Sequence, residues 1–293
     1  MRAVSLHPDV IVVTSAVLHV NCVIVRGRAG AEGEPTAGAT SARGLERAGS
    51  VERAGETFVI DSPVLPDELD ALPALLAQAR FPAPSGLLAT HGDWDHLLGR
   101  LAFPDAALGC AESTAERLRS APGEAQRALR TFDEELMIER PRPLALGSVQ
   151  ALPVPGRCEV GELELELHAA DGHTDDGMAI HVPWASVLVA GDYISSVEIP
   201  MLGAGDTVDA YLATLDRLRA LVDACEHVVP GHGPVLDRTR ALATLEEDAA
   251  YLIELRENGA DAELPAGRSS RQQRVLHAEN VAKLRLQPRR NGQ

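Results

Sequence analysis

The chain of 293 residues is long enough for one large domain or two small ones, and for a sizeable hydrophobic core. Its hydrophobic content of 45% and charged content of 24% are typical of a globular protein. The formal net charge of -16 would repel nucleic acid and anionic membranes, so we expect neither as a partner and expect a small-molecule substrate.

The N-terminal third predicts three strands and one insertion. Residues 10–26 are apolar and rich in β-branched side chains, and they lack the basic start and small-residue cleavage site of a signal peptide. We therefore interpret them as a β-hairpin, with "TFVIDSP" at 57–63 as a third strand. Residues 27–56, rich in Gly, Ala, Glu and Arg, have too few large apolar side chains to offset their ordering entropy, which predicts a flexible insertion.

The rest of the chain predicts alternating helices and strands in one α/β domain. A helix with leucines at helical spacing covers 66–80, where Pro73 is expected to produce a kink, and helical patterns follow at about 112–136. Further strands and helices are predicted at "SGLLAT" (85–90), "ELELELHAA" (162–170), "MAIHV", "SVLVAGD", "DAYLATLDRLRALVDA", "HVVPGHG", about 237–257 and 269–286. We expect residues 1–236 to form the main domain and 237–293 a helical extension packed on it.

The four cysteines are widely separated and form no CxxC pair; they are Cys22, Cys110, Cys158 and Cys225. This spacing argues against a thiolate zinc site or a disulfide framework and is typical of a reducing compartment. No apolar run is long enough to span a membrane. The sequence therefore predicts a soluble cytoplasmic protein.

Histidine and aspartate side chains follow directly after four of the predicted strands. Loops at strand ends, held by a rigid sheet, are positions where such side chains can converge on one site. Four imidazoles and three carboxylates suit two divalent ions, whose positive charge would offset the repulsion among the carboxylates. The candidate ligands are His91, Asp93, Asp95, His96, His173, Asp192 and His232.

These motifs, in this order, resemble those of the metallo-β-lactamase superfamily. The match consists of "THGDWDH" at 90–96, "GHT" at 172–174, "GD" at 191–192 and "GHG" at 231–233, and it extends over roughly residues 10–235. The resemblance implies a four-layer αββα sandwich of two mixed β-sheets, with two divalent metal ions in a groove along one edge. It also implies a metal-dependent hydrolase.

The resemblance assigns a role to each candidate ligand. His91 and His173 correspond to ligands of the first ion, Asp192 to the carboxylate that bridges both ions, and Asp95, His96 and His232 to ligands of the second. Asp93 departs from the pattern, because the common motif has histidine there. A carboxylate can still bind the ion, so we expect Asp93 to be a ligand, in a site that takes zinc or, with this harder donor, iron or manganese.

Several neighbouring residues have more than one interpretation. Trp94 and Tyr193 lie beside candidate ligands and could contact the substrate, or pack as a wall of the groove. Asp175 and Asp176 either hold the second nitrogen of His173 or cap a turn. The remaining histidines in strand and helix patterns are interpreted as packed or surface groups, namely His168, His181, His227 and His277.

Three functions are compatible with these features. The leading hypothesis is a hydrolase that uses a metal-activated hydroxide on a small ester, thioester or lactone, with Asp95 orienting the hydroxide and transferring its proton. The second is an iron-dependent oxidoreductase on the same fold, which Asp93 motivates. The third is a metabolite-binding protein whose first metal site is weakened. Six arginines near the C-terminus form a basic segment that is interpreted as a solvated helix face, namely Arg268, Arg271, Arg274, Arg285, Arg289 and Arg290.

Overall fold

The first half of the chain forms a mixed sheet of seven strands, arranged in chain order. The computed structural model describes residues 1–28, 55–203 and 207–286. Strands β1 to β4 pair antiparallel, and β4 to β7 pair parallel. The strands span Arg2–His7, Val10–Thr14, Asn21–Arg26, Thr57–Ile60, Gly86–Leu88, Ala107–Ala111 and Gln150–Leu152. Helices α1 to α4 of this half span Pro66–Ala79, Gly99–Ala102, Glu112–Ser120 and Glu124–Leu136.

The second half forms a six-stranded sheet in the order β13-β12-β11-β10-β9-β8. Only β11 and β12 pair in parallel, and the other neighbours are antiparallel. Strands β8 to β13 span Gly156–Val160, Leu163–Ala169, Met178–Val182, Val187–Gly191, His227–Pro230 and Leu236–Asp237. Helices α5 to α7 span Val208–Ala224, Arg238–Asn258 and Arg271–Leu286.

The two sheets and their helices form four layers. One apolar cluster lies between the sheets and contains Val12, Val23, Leu165 and Ile180. A second cluster joins the outer face of the first sheet to α1, α3 and α4, and a third joins the outer face of the second sheet to α5, α6 and α7. The expected αββα sandwich of two mixed sheets is therefore confirmed. Strands β2, β3 and β11 alternate their side chains between two apolar interfaces, which explains their nearly continuous apolar runs.

The structure also contains strands that the sequence patterns do not predict. β1, β7, β8 and β13 are short or at an edge of their sheet, whereas β6 is a largely buried strand of five residues between β5 and β7. The helical region at 112–136 divides into α3 and α4, and Gly123 adopts a φ of 80° at the division. Helix α1 continues through Pro73 to Ala79.

Most of the predicted insertion, residues 29–54, lies outside the described residues, as do Arg289 and Arg290. The described ends of the insertion lie beside the β8–β9 turn. Gly27 N donates to Glu56 O over 2.9 Å, and Gly161 N donates to the Glu56 carboxylate over 3.1 Å. This turn is at the opposite end of the second sheet from the strand ends that carry the candidate ligands. Among the described helices, none combines the length and the apolar character needed to cross a membrane.

Candidate metal centre

The candidate ligands converge because parallel strands end at the same edge of each sheet. β5 runs directly into the loop with His91, and Asp93 to His96 form the next short turn. In the other sheet, Asp192 follows β11 and His232 follows the neighbouring parallel strand β12. The loop between β9 and β10 adds His173 from the same edge. The topology therefore brings together side chains that are up to 141 positions apart in the sequence, as the numbers of His91 and His232 show.

The side chains form two groups of three donors. His91, His173 and Asp192 make up one group, and Asp95, His96 and His232 make up the other. Asp192 lies between them: its Oδ2 is 3.7, 3.4 and 3.3 Å from the Nε2 atoms of His91, His173 and His232, and its Oδ1 is 3.2 Å from Nε2 of His96. Tetrahedral donors at 2.0–2.2 Å from zinc would be separated by about 3.3–3.6 Å. The observed separations are close to that range.

Several of the converging atoms have no hydrogen-bond partner. Among the described residues, Nε2 of His91, His96 and His173 and Oδ1 of Asp192 are buried and unpaired. A buried polar atom without a partner costs about 1–3 kcal/mol, so four of them at one point need an explanation. A bound cation would satisfy all four. The donor set therefore fits divalent metal ions.

The opposite nitrogen of each imidazole is held by a neighbour. Nδ1 of His91, His173 and His232 lies 3.1, 3.1 and 2.8 Å from Thr90 Oγ1, Met201 O and Leu18 O. These contacts fix each ring with Nε2 toward the centre, as outer contacts of metal-bound histidines commonly do. Neither Asp175 nor Asp176 holds the second nitrogen of His173, which faces the Met201 carbonyl instead.

Asp61 holds the fourth imidazole and was not a sequence candidate. It is 3% exposed, and its Oδ2 accepts from Thr90 Oγ1 over 2.9 Å and lies 3.0 Å from Nδ1 of His96. Its Oδ1 accepts from Thr90 N over 2.8 Å. Asp61 directly follows β4, which is parallel to β5. An acidic residue immediately after a buried strand, the same signal that selected Asp192, could have found it.

The electrostatics of the cluster favour a bound cation. Burial alone would lower the pKa of His96 and of His232, but neighbouring carboxylates, led by Asp192, raise the pKa of His96 well above its usual value and that of His232 to about 10. Burial alone would raise the pKa of Asp192, but the surrounding imidazoles, led by His232, hold it well below its usual value. Imidazole protons therefore balance the carboxylates in the protein alone. A metal ion would displace those protons.

Asp93 lies beside the first group, with its two oxygens in different environments. Its Oδ2 is 3.6 Å from Nε2 of both His91 and His173. Its Oδ1 accepts a hydrogen bond of 2.7 Å from Arg117 on α3. Burial raises the pKa of Asp93, but the neighbouring imidazoles of His173 and His91 outweigh it and hold that pKa well below its usual value. One oxygen is thus free to join the first group of donors.

Arg117 also connects Asp93 to the loop after His173. It donates to Asp176 Oδ1 over 2.9 Å, and Asp176 Oδ2 accepts from Gly92 N over 2.9 Å. Asp176 is 1% exposed, so its role is to join two ligand-bearing loops through Arg117. Arg117 was not a sequence candidate, because it lies in the middle of an amphipathic helix and shares no local pattern with the ligands.

Gly231 allows the two sheet ends to approach closely. A Cβ atom at this position would lie 1.9 Å from Asp192 Oδ1. Any side chain there would therefore displace the carboxylate that both donor groups share.

The two proposed substrate-contacting aromatics have different positions. The Tyr193 hydroxyl accepts from His173 N over 2.7 Å and donates to Ala170 O over 3.1 Å. It is 3% exposed, so it supports the backbone beneath His173. Trp94 packs on Phe132 of α4 with ring centroids 4.6 Å apart and lines a cavity of about 200 Å³ with Arg117 and Asp93.

A larger cavity of about 330 Å³ opens directly onto the donor groups. The segment after β11 forms one wall, and α7 forms the other. Gln273 on α7 accepts from Ile199 N over 2.7 Å, and Asn280 accepts from Leu202 N over 3.0 Å. Glu198 lies in this wall, with its carboxylate 4.0 Å from Nδ1 of His232. The candidate metal ligands that line the cavity are Asp93, Asp95, His173, Asp192 and His232.

The comparison with protein families decides the membership of the chain. The model of the metallo-beta-lactamase superfamily matches residues 49–232, more than half of the sequence. The chain belongs to this superfamily. The sequence has no significant match among curated proteins.

Solved structures share the same fold at low sequence identity. A metallo-beta-lactamase family protein from Thermus thermophilus superposes with a TM-score of 0.64 at 21% identity, over 95% of this chain and 93% of that one. A metallo-beta-lactamase from Pontibacter korlensis gives 0.54 at 16%, over 84% and 98%. A stereoselective inverting sec-alkylsulfatase from Pseudomonas sp. gives 0.60 at 14%, over 88% of this chain and 42% of that one. These similarities show the fold of this superfamily member, and its neighbours include hydrolases of different substrates.

Proposed function

We propose that this superfamily member is a metal-dependent hydrolase of a small ester, thioester or lactone. The observation that carries the proposal is the pair of three-donor groups around Asp192, with His91, His96 and His173 presenting buried, unpaired nitrogens. The first ion would be held by His91, His173 and Asp93, the second by Asp95, His96 and His232, and Asp192 would be shared. Bound there, two divalent ions would lower the pKa of a water from 15.7 to about 7 and polarise the oxygen of the scissile group.

The residues of the chain supply orientation and proton transfer. Asp95 borders the cavity, and its Oδ2 lies 3.5 Å from Nε2 of His232 and 3.8 Å from Nε2 of His96. It is therefore held at the junction of the second donor group and the substrate space. In this proposal the Asp95 carboxylate orients the attacking water and transfers its proton to the leaving group. A positioned acid–base group contributes about 10²–10⁴-fold to rate.

The cavity wall favours an uncharged acyl substrate. Ile194, Ile199, Met201 and Leu276 supply apolar surface, and Gln272 and Gln273 supply amides. Among the described residues that line the cavity there is no arginine or lysine, whereas Glu198 and Glu279 add negative charge. A sulfate ester or another anionic substrate would meet these carboxylates with no basic side chain of the described lining to pair with. A small neutral ester, thioester or lactone fits better.

The metal in this proposal is zinc, with iron or manganese as the alternatives. Four imidazoles suit zinc, and the Asp93 oxygen adds a harder donor beside His91 and His173. Elemental analysis of protein purified without chelators distinguishes these ions. Bound iron together with thiol-dependent oxygen consumption would favour the oxidoreductase hypothesis over the hydrolase hypothesis. Fewer than two ions without turnover would favour a metabolite-binding protein.

The experiment that tests the hydrolase uses metal-loaded protein and a panel of neutral esters, thioesters and lactones, each with an anionic analogue. We expect turnover of neutral members, and a loss of at least about 100-fold in kcat for Asp95→Ala with the fold retained by circular dichroism. The matched control is Asp175→Ala, which removes the same charge from an exposed position near His173. Background rates across the panel, or full activity of Asp95→Ala, would overturn the proposal.

A further inference from the structure

Three potential metal donors lie together on the second sheet, outside the candidate metal centre. Glu166 and His168 belong to β9, and His181 belongs to the neighbouring strand β10. Leu165 and Leu167 of β9 point into the apolar layer between the sheets, so Glu166 and His168 project from the opposite face. His181 pairs in register with Glu166, which places all three side chains on that face. We call these three residues the β9–β10 triad.

The triad has the spacing of a metal site. One donor atom from each residue lies within 4.8 Å of the other two. Oε2 of Glu166 is 2.9 Å from Nδ1 of His181 and 3.8 Å from Nε2 of His168. Donors of a tetrahedral zinc ion are about 3.3–3.6 Å apart, and these two distances lie on either side of that range. Small side-chain movements would bring these two separations into that range, and the two imidazole donors are at most 4.8 Å apart.

His168 is the member that the protein alone does not satisfy. Its Nε2 is buried and has no hydrogen-bond partner among the described residues, although the imidazole as a whole is 33% exposed. The hydrogen bond between His181 and Glu166 explains the position of those two side chains without a metal, but it leaves His168 unexplained. An ion bound to Glu166 and His181 would satisfy this nitrogen as a third ligand.

The surroundings leave the triad accessible to a cation. Arg157 of β8 lies opposite Glu166 in the strand register, but its guanidinium donates to Glu164 over 2.8 Å. Glu166 and His168 are each about one third exposed, with side-chain values of 36% and 33%. Water can therefore reach the site and occupy a fourth coordination position. The strands hold the donors on a rigid element, which limits the ordering that binding requires.

We propose that the β9–β10 triad binds one divalent transition-metal ion of the zinc class, separately from the candidate metal centre. Two imidazoles and one carboxylate are a donor set that zinc accepts, with water as the fourth ligand. The ion crosslinks β9 and β10, the two strands whose connecting loop carries His173. The site therefore braces the loop that presents a ligand of the main centre, and it takes no part in the reaction there.

The test is the difference in zinc stoichiometry between the intact chain and variants of the triad. Full-length protein, His168→Ala and His181→Ala are dialysed to equilibrium against the same zinc solution and analysed for zinc per chain. We expect each variant to bind one ion fewer than the parent. His227→Ala is the matched control, because it removes a histidine from the same sheet outside the triad. It should bind as many ions as the parent.

The result does not depend on the proposed hydrolase activity. The measured quantity is a difference between variants, so it holds whatever number of ions the main centre contains. Glu166→Gln, which keeps the shape of the side chain and removes its charge, should bind the same ion more weakly and should raise the zinc concentration needed for half-occupancy. Equal stoichiometry in the parent and in both histidine variants would overturn the proposal.

Discussion

Replacement of Asp93 by alanine tests whether the unusual aspartate is a metal ligand. The carboxylate reaches the first donor group with one oxygen, 3.6 Å from Nε2 of both His91 and His173. The other oxygen is held by Arg117. Asp93→Ala therefore removes one donor of the first ion and leaves the six other candidate ligands in place. We expect the second ion to remain bound.

The expected loss of affinity can be estimated. Removal of groups that merely support a metal ligand costs about 10–100-fold in affinity. Loss of a ligand itself should reach at least the upper end of this range, about 100-fold, or about 2.8 kcal/mol at 1.4 kcal/mol per tenfold. The effect on the metal-free fold should be much smaller. Asp93 and Arg117 are each about one quarter exposed, and such a partly solvated ion pair contributes about 1 kcal/mol or less.

Two measurements distinguish these effects. Competition with a chelator gives the zinc affinity of each site, and urea unfolding of metal-free protein gives the stability. Asp175→Ala is again the matched control, since it removes an exposed negative charge close to His173 but no donor. Asp93→Ala should fall to one tightly bound ion, whereas Asp175→Ala should keep two. Unchanged affinity and stoichiometry in Asp93→Ala would refute the assignment of Asp93 as a ligand.

Two further predictions concern buried charged residues outside the donor groups. Arg268, which the sequence pattern assigned to a solvated helix face, is instead fully buried before the start of α7 and donates to Asp248. Burial raises the pKa of Asp248 to about 7 despite that partner. Arg268→Met should reduce the free energy of unfolding, measured with a chemical denaturant, by about 3–5 kcal/mol, because it leaves the Asp248 carboxylate buried without its partner. Adding Asp248→Leu to the same chain should restore part of that stability. A double variant no more stable than Arg268→Met would contradict this reasoning. Glu68 accepts from Ser15 Oγ and from Ala16 N over 2.6 and 2.7 Å, contacts that outweigh burial and lower its pKa. The ionised form of Glu68 therefore stabilises the fold above the ordinary pKa, and this stabilisation is lost as the pH falls through the lowered pKa. Glu68→Gln should reduce the free energy of unfolding by about 1–3 kcal/mol at pH 7 and by progressively less in acid. A difference in stability that does not change with pH would contradict this reasoning.

Local sequence patterns were sufficient for the ligand-bearing strands and loops. The side chains from His91 to His96 lie within six positions, and Asp192 and His232 come at the ends of apolar strands. His173 follows the alternating strand β9 after three further residues, so strand prediction and motif order together selected the candidate ligands. The same patterns predicted the four layers through the family resemblance. β1, β7, β8 and β13 were missed because they are short or lie at an edge with few buried side chains. β6 was missed because its sequence, ALGCA, has no β-branched or aromatic residue.

The supporting contacts could be found only in the folded protein. Arg117, Asp61 and Asn280 lie on three different elements, and each acts on a residue between 24 and 78 positions away. Nothing in a local window distinguishes Arg117 and Asn280 from ordinary helix residues, because their partners come from other parts of the chain. Asp61 carries only the signal of an acidic residue after a buried strand. The motif therefore determined which side chains are the candidate metal ligands. The packing of α3 and α7 against the sheet edge decided how those side chains are oriented and what kind of cavity they face.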